Sequence, residues 1–196
     1  MRTQTTLFSS LLLFSALLGT AKAQVTLPAG NSVFLNTFGD GVQIYNSASN
    51  GAGGFQWNFI APQANLFTDS TETTLIGTHF AGPTWQDSAD GSSVVGMRIG
   101  SGPSPNPNSI PELLLIAKSY GGAGLFNKVS YIQRLNTIGG LAPSLAPTGL
   151  GQSANVSYTA TYAFAQAVPE PGNLALFASL ALSGGALFLR GRMRRK

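Results

Sequence analysis

The sequence predicts an all-β domain, a single antiparallel sandwich or barrel of about nine strands, set between two helical end segments. Three observations lead there. Charged residues make up only 9% of the 196, while glycine (24) and proline (11) are plentiful, which favours turns and strands over helix bundles. Short runs of β-branched and aromatic residues alternate with turn signals across the middle of the chain. Outside the two ends, no segment carries a convincing helical repeat.

Residues 1–23 read as a secretory signal peptide. Arg2 supplies the positive start, Leu7 to Leu18 an apolar core, and Ala21-Lys22-Ala23 the small residues that signal peptidase reads. Cleavage is expected before Gln24. Residues 24–167 then form one domain, long enough to bury a core of its own. Ser32–Phe38 and Val42–Tyr45 flank Gly39-Asp40-Gly41 and read as a hairpin. Phe55–Ala61, Asn65–Phe67, Thr73–Phe80, Ser93–Ile99, Leu113–Tyr120, Lys128–Thr137 and Asn155–Ala165 read as further strands. Leu113–Tyr120 is ambiguous, because a short apolar run suits a strand or a buried helix. In the last segment Val156, Tyr158, Tyr162 and Phe164 share one face, with Ser157, Thr159 and Thr161 on the other. Val129, Tyr131 and Leu135 alternate with Ser130, Ile132 and Arg134 in the same way. Gly100–Pro111 and Gly139–Ser153 are long Gly/Pro-rich loops.

The C-terminal segment spans 168–196. Val168-Pro169-Glu170-Pro171 precedes an expected transmembrane helix over 173–189, whose apolar run gives about 24 Å of helix. A basic tail over 190–196 carries Arg190, Arg192, Arg194, Arg195 and Lys196, which should hold that end on the cytoplasmic side.

The net charge of +4 and pI near 9.7 belong to these ends. Seven of the eleven bases lie there. Between Gln24 and Ala167 four bases face six acids, so the domain offers no basic patch and no nucleic-acid partner is expected. The absence of cysteine excludes disulfides, thiolate catalysis and Cys-based metal sites.

Candidate chemistry is sparse. His79 is the only histidine and could act as a general base, with Asp87 or Asp90 orienting it. The bland alternative is a structural histidine beside a turn. Asp87-Ser-Ala-Asp90-Gly91 could offer oxygens to calcium, but Asp-Gly is also ordinary turn chemistry. Asp40 and Glu112 could pair as in a glycosidase, yet nothing selects them among six acids. Trp57, Trp85 and Tyr131 could stack on a sugar if they stay exposed. The glycine clusters lack the strand–Gly–helix setting of a dinucleotide site. No cofactor and no metal are expected.

Two resemblances add to this reading. Pro169-Glu170-Pro171, the apolar run and the Arg-rich end, in that order, resemble the PEP-CTERM sorting signal. That resemblance implies Gram-negative bacteria and processing by an exosortase, a membrane-embedded cysteine transpeptidase. Trp57-Asn-Phe-Ile-Ala-Pro62, Gly77-Thr-His-Phe-Ala-Gly-Pro-Thr-Trp85, Asp90-Gly91-Ser92 and Tyr131-Ile-Gln-Arg-Leu-Asn-Thr-Ile-Gly-Gly140 resemble a secreted domain-of-unknown-function family of bacteria and fungi. Its fungal members include appressorium-expressed secreted proteins, and the resemblance covers about residues 26–165. Many members carry cysteines after the Val42–Tyr45 strand and after the Gly139–Pro143 loop, which implies a disulfide there. This chain has Asn46 and a cysteine-free 142–151 instead. If those loops are joined, a non-covalent link must do it.

These features predict an exported cell-surface or matrix protein with a non-catalytic β domain of unknown ligand. Its expected partners are signal peptidase, exosortase, the membrane before processing, and extracellular polysaccharide. The alternatives are a small polysaccharide-active enzyme using His79 and a carbohydrate-binding module. His79 in an open cleft beside an acid would favour the enzyme. His79 buried against Trp85 would count against it.

Overall fold

The computed structural model describes residues 25–169. The expected signal peptide, transmembrane helix and basic tail lie outside the described residues, as do Glu170 and Pro171. Eight strands run β1 (Asn31–Ser49), β2 (Phe55–Phe67), β3 (Leu75–Phe80), β4 (Thr84–Asp87), β5 (Ser93–Gly102), β6 (Glu112–Gly121), β7 (Tyr131–Gly139) and β8 (Ser153–Ala167). Each pairs antiparallel with the next, and β8 returns to β1, closing a barrel. Closure leaves no terminal strand with a free edge, and the part of β2 before Ala64 is the stretch that lacks a β3 partner.

The count of eight, where about nine were expected, has three causes. Gly39-Asp40-Gly41 does not turn. It runs straight through the middle of the nineteen-residue β1. The two glycines are there for space. A Cβ on Gly39 would lie 2.6 Å from the Tyr162 ring, and one on Gly41 would lie 2.1 Å from the Gln63 carbonyl oxygen. Pro62 does not end a strand either. It sits in β2 where β1 is paired on one side and β3 has not yet begun, so its missing N–H breaks no ladder on that side. Finally, Thr84–Asp87 is a strand of four residues, too short to show alternation. Leu113–Tyr120 falls within β6, a strand.

The inward face of β8 is the expected one. Tyr158, Ala160, Tyr162 and Phe164 are all buried. In β7 the alternation holds but the faces are reversed. Ile132 belongs to the core, and Arg134 pairs with Tyr162 on that same inner face. The outer face of β7 and β8 is covered in turn. Gln133 donates from Nε2 to the Val25 carbonyl, and Ala163 and Ala165 are buried beside it.

The two poles differ. At the entry pole the Val168 N–H donates to the Gly30 carbonyl (2.8 Å), so the chain enters and leaves side by side. A 3₁₀ turn, Leu125–Lys128, plugs this end with the fully buried Phe126, which packs on Phe164 at 4.8 Å. The opposite pole carries the loops over 50–54, 81–83, 103–111 and 140–152. There the Tyr45 hydroxyl donates to the Gly140 carbonyl (2.6 Å), and Trp57 Nε1 donates to Leu145 (2.9 Å). The Ser47 N–H donates to the Gln152 carbonyl (2.9 Å). Hydrogen bonds thus join the two regions where the resemblance implied a disulfide.

The close approach at Gly41 sets a prediction. Gly41→Ala should cost about 3 kcal/mol or more, because backbone must move to admit the methyl group. Gly149, where an added Cβ would meet no atom within 4 Å, should tolerate alanine within about 0.5 kcal/mol. Urea midpoints of the two variants against wild type measure both.

Candidate functional site

The short β3–β4 hairpin lowers the barrel wall at one place. β2 pairs with β3 only from Ala64 to Phe67, and its upper half faces a notch. The turn that tops the hairpin needs Gly82, at φ +95°, and is fixed by the Thr84 hydroxyl donating to Ala81 (2.9 Å). Beneath the notch lies a cavity of about 230 Å³. Its apolar lining comes from Phe59, Ile60 and Pro62 of β2 and from Leu113 and Leu115 of β6. Beside these stand His79, Trp85, Tyr162, Arg134 and Arg98.

Cross-strand pairing places His79 opposite Trp85, so both point inward. Their rings stack at 4.3 Å and 9°. Gly96 leaves room for this, since a Cβ there would stand 3.0 Å from the Trp85 ring. Tyr162 meets both rings edge-on, at 5.1 Å and 5.7 Å. Its hydroxyl shares a 2.8 Å hydrogen bond with that of Tyr158. Arg134 donates from one guanidinium nitrogen to the Pro111 carbonyl (2.8 Å). Its Nε is buried without a partner, and among the described residues no ion pair joins it to a carboxylate.

The electrostatics of this interior are one-sided. His79 is 3% exposed, and its Nδ1 lies 2.9 Å from the Thr84 carbonyl. A carbonyl only accepts, so Nδ1 carries the proton and Nε2 the lone pair. Burial pulls the pKa of His79 down to about 4, against a raising effect from Thr84, with Arg134 lowering it further. The ring is neutral at pH 7. Burial likewise raises Tyr45, Tyr158 and, well above its ordinary value, Tyr162. The cavity therefore holds guanidinium charge and no anionic side chain.

The other candidate residues are placed elsewhere. Asp87 Oδ1 accepts from the N–H groups of Ala89 and Asp90 (2.8 and 2.9 Å). Asp90 accepts from Ser92 (2.8 Å) and Leu125 (2.7 Å), tying the β4–β5 turn to the plug. Those hydrogen bonds, Ser92 first, hold its carboxyl below the usual range. Neither acid is hydrogen-bonded to His79. Glu112 accepts from the Asn136 N–H (2.7 Å), and Asp40 lies between Asn65 and Thr159 on the outer face. Trp57 is half-buried, Tyr131 half-buried on the outside of β7, and Trp85 is 1% exposed. The three do not form one exposed face, because Trp85 points into the barrel. Among the described residues no cluster of three or more His, Asp or Glu could hold a metal ion.

Three cavity residues, Arg98, Arg134 and Tyr162, were not singled out by the sequence as site residues. One signal was present. The domain has only two arginines, and Arg134 shares parity with Ile132, a core residue.

Fold and cavity together define a closed, eight-stranded antiparallel barrel with an internal pocket open at the pole away from the termini. The chain belongs to a family described as a protein of unknown function, DUF3455, whose model matches residues 28–166. No curated protein and no solved structure matches it significantly.

The buried histidine sets a pH dependence. Its folded pKa lies below the unfolded value of about 6.5, so its contribution is present above that pH and lost as pH falls toward about 4. Between pH 6.5 and 5 the barrel should lose about 2 kcal/mol of stability. Since this is the chain's only histidine, His79→Gln should flatten that part of the curve in urea titrations at each pH.

Proposed function

We propose that this is an exported protein, sorted by an exosortase, whose barrel is a non-catalytic domain displayed at the cell surface or in extracellular polymer. The observation that carries this reading is the ordered C-terminal pattern: Pro169-Glu170-Pro171, an apolar run, then five bases. The proline-flanked motif is stiff and offers few N–H groups, which suits an extended segment held in a transpeptidase cleft. An N-terminal signal peptide, cleaved before Gln24, would carry the domain across the membrane to meet that enzyme.

The barrel supports the reading in two ways. Both chain ends leave from the same pole, so a membrane-held C-terminus leaves the cavity pole facing away from the bilayer. Pro169, the last described residue, is exposed there. The interior also lacks the pairing that general acid–base catalysis uses, because the carboxylates of Asp87 and Asp90 serve turn N–H groups.

Replacing Pro169, Glu170 and Pro171 with alanines in an exosortase-containing host tests the sorting step. The expected result is a membrane-bound precursor that keeps its basic tail. Unchanged processing and location would overturn the proposal. N-terminal sequencing of the wild-type product should begin at Gln24.

A further inference from the structure

The geometry points to the barrel cavity as a binding site for a small amphipathic organic anion, a carboxylate on a ring-sized apolar body. This goes beyond the export reading and rests on the barrel alone.

The first argument is the distribution of charge. The domain has two arginines and six carboxylates. Both arginines line this one cavity, and none of the carboxylates does. Arg134 is half-buried among Leu113, Tyr162 and Trp85, with its Nε orphaned. A guanidinium in that position loses part of its hydration and has the Pro111 carbonyl and the neutral Tyr162 hydroxyl beside it. The groups around it bring no negative charge: His79 and the buried tyrosines are neutral. An entering carboxylate would supply the missing charge, and the planar fork of arginine suits its two oxygens. Arg98, exposed on β5, stands at the rim to draw the anion in.

The second argument is shape. Half of the lining is apolar, and two of its members, Phe59 and Ile60, are 52% and 54% exposed at the notch. Large apolar side chains left half-exposed around a concavity mark a site that an apolar group covers. A cavity of about 150 Å³ accepts benzene. At about 230 Å³ this one has room for a ring or short chain and its carboxylate. A free inorganic anion would leave the apolar wall bare, and a neutral hydrocarbon would leave Arg134 unpaired.

The test uses the full chain in lipid nanodiscs, with empty nanodiscs as the blank. Benzoate, phenylacetate, hexanoate and octanoate are titrated by calorimetry and by quenching of tryptophan fluorescence. At least one should bind with Kd below about 1 mM, while phenylacetamide and acetate bind at least about tenfold more weakly. Arg134→Met should abolish binding while the barrel stays folded by circular dichroism, because it removes the charge that the anion would pair with. Should that variant fail to fold, Arg98→Gln at the exposed rim should still weaken binding several-fold. No binding by any of the four acids, or binding of acetate or phenylacetamide as tight as theirs, would overturn the proposal. So would wild-type affinity in a folded Arg134→Met.

Discussion

The barrel is organised around the contact between Tyr162 and Gly39. The tyrosine ring occupies the space that a side chain on β1 would take, at 2.6 Å from the position of a Cβ. That lets a fully buried aromatic lie across the middle of the barrel. Once it is there, its other neighbours are fixed. Its hydroxyl meets Tyr158, its edge meets His79 and Trp85, and its cross-strand partner is Arg134. The His79–Trp85 stack depends on the same relief on the far wall, where Gly96 makes way for the indole. Two glycine positions on opposite strands thus admit the rings of Tyr162, Trp85 and His79 that line the cavity.

Below and above this layer the barrel obeys different rules. Toward the entry pole the interior is apolar: Leu66, Val94, Phe126, Val129, Ile132 and Phe164 pack without a polar atom to satisfy. Elsewhere it is not. Four buried side-chain atoms lack partners: Thr37 Oγ1, Gln43 Nε2, Trp85 Nε1 and Arg134 Nε. All four belong to residues on inward positions by pairing, Thr37 opposite Tyr162 and Gln43 opposite Pro62. Native interiors hold few such atoms, and each costs stability that the apolar core must offset. Two of the four, on Trp85 and Arg134, belong to residues that line the cavity.

Much of this was legible in the sequence, and the failures have physical causes. The all-β class followed from composition and from the alternation in Asn155–Ala165, because a strand with one buried face must repeat every two residues. Gly39-Asp40-Gly41 misled because glycine serves both turns and close approaches, and only the ring across the barrel tells them apart. Arg134 misled for a related reason. Alternation gives two faces, and hydropathy is what assigns one of them to the core. Tyr131 and Leu135 outweighed Ile132 and Arg134 on that scale, although the charged member of the pair was the inward one. The cavity combines side chains from β2 through β8, and no local pattern records which of them converge.

The cavity pole also bears on how a chain without cysteine keeps a binding site in shape. Its loops are long and rich in glycine and proline, yet each is pinned to a strand. Ser104 and Asn106 both donate to the Thr137 carbonyl (2.7 and 3.0 Å), and Thr137 donates in turn to Ile110. The Gly139 N–H donates to Ser109 (3.0 Å). Tyr45 and Trp57 hold the 140–152 loop from the other side. Each such bond contributes only about 1 kcal/mol, far less than a disulfide spanning the same sequence distance. Several of them spread over two loops fix the rim against many small displacements, whereas one covalent link fixes a single point. A pocket whose walls are ordered before a ligand arrives has less conformational entropy to lose on binding. Arg134 shares in that ordering, because the guanidinium that faces the cavity is itself held by the Pro111 carbonyl at the end of the proline loop.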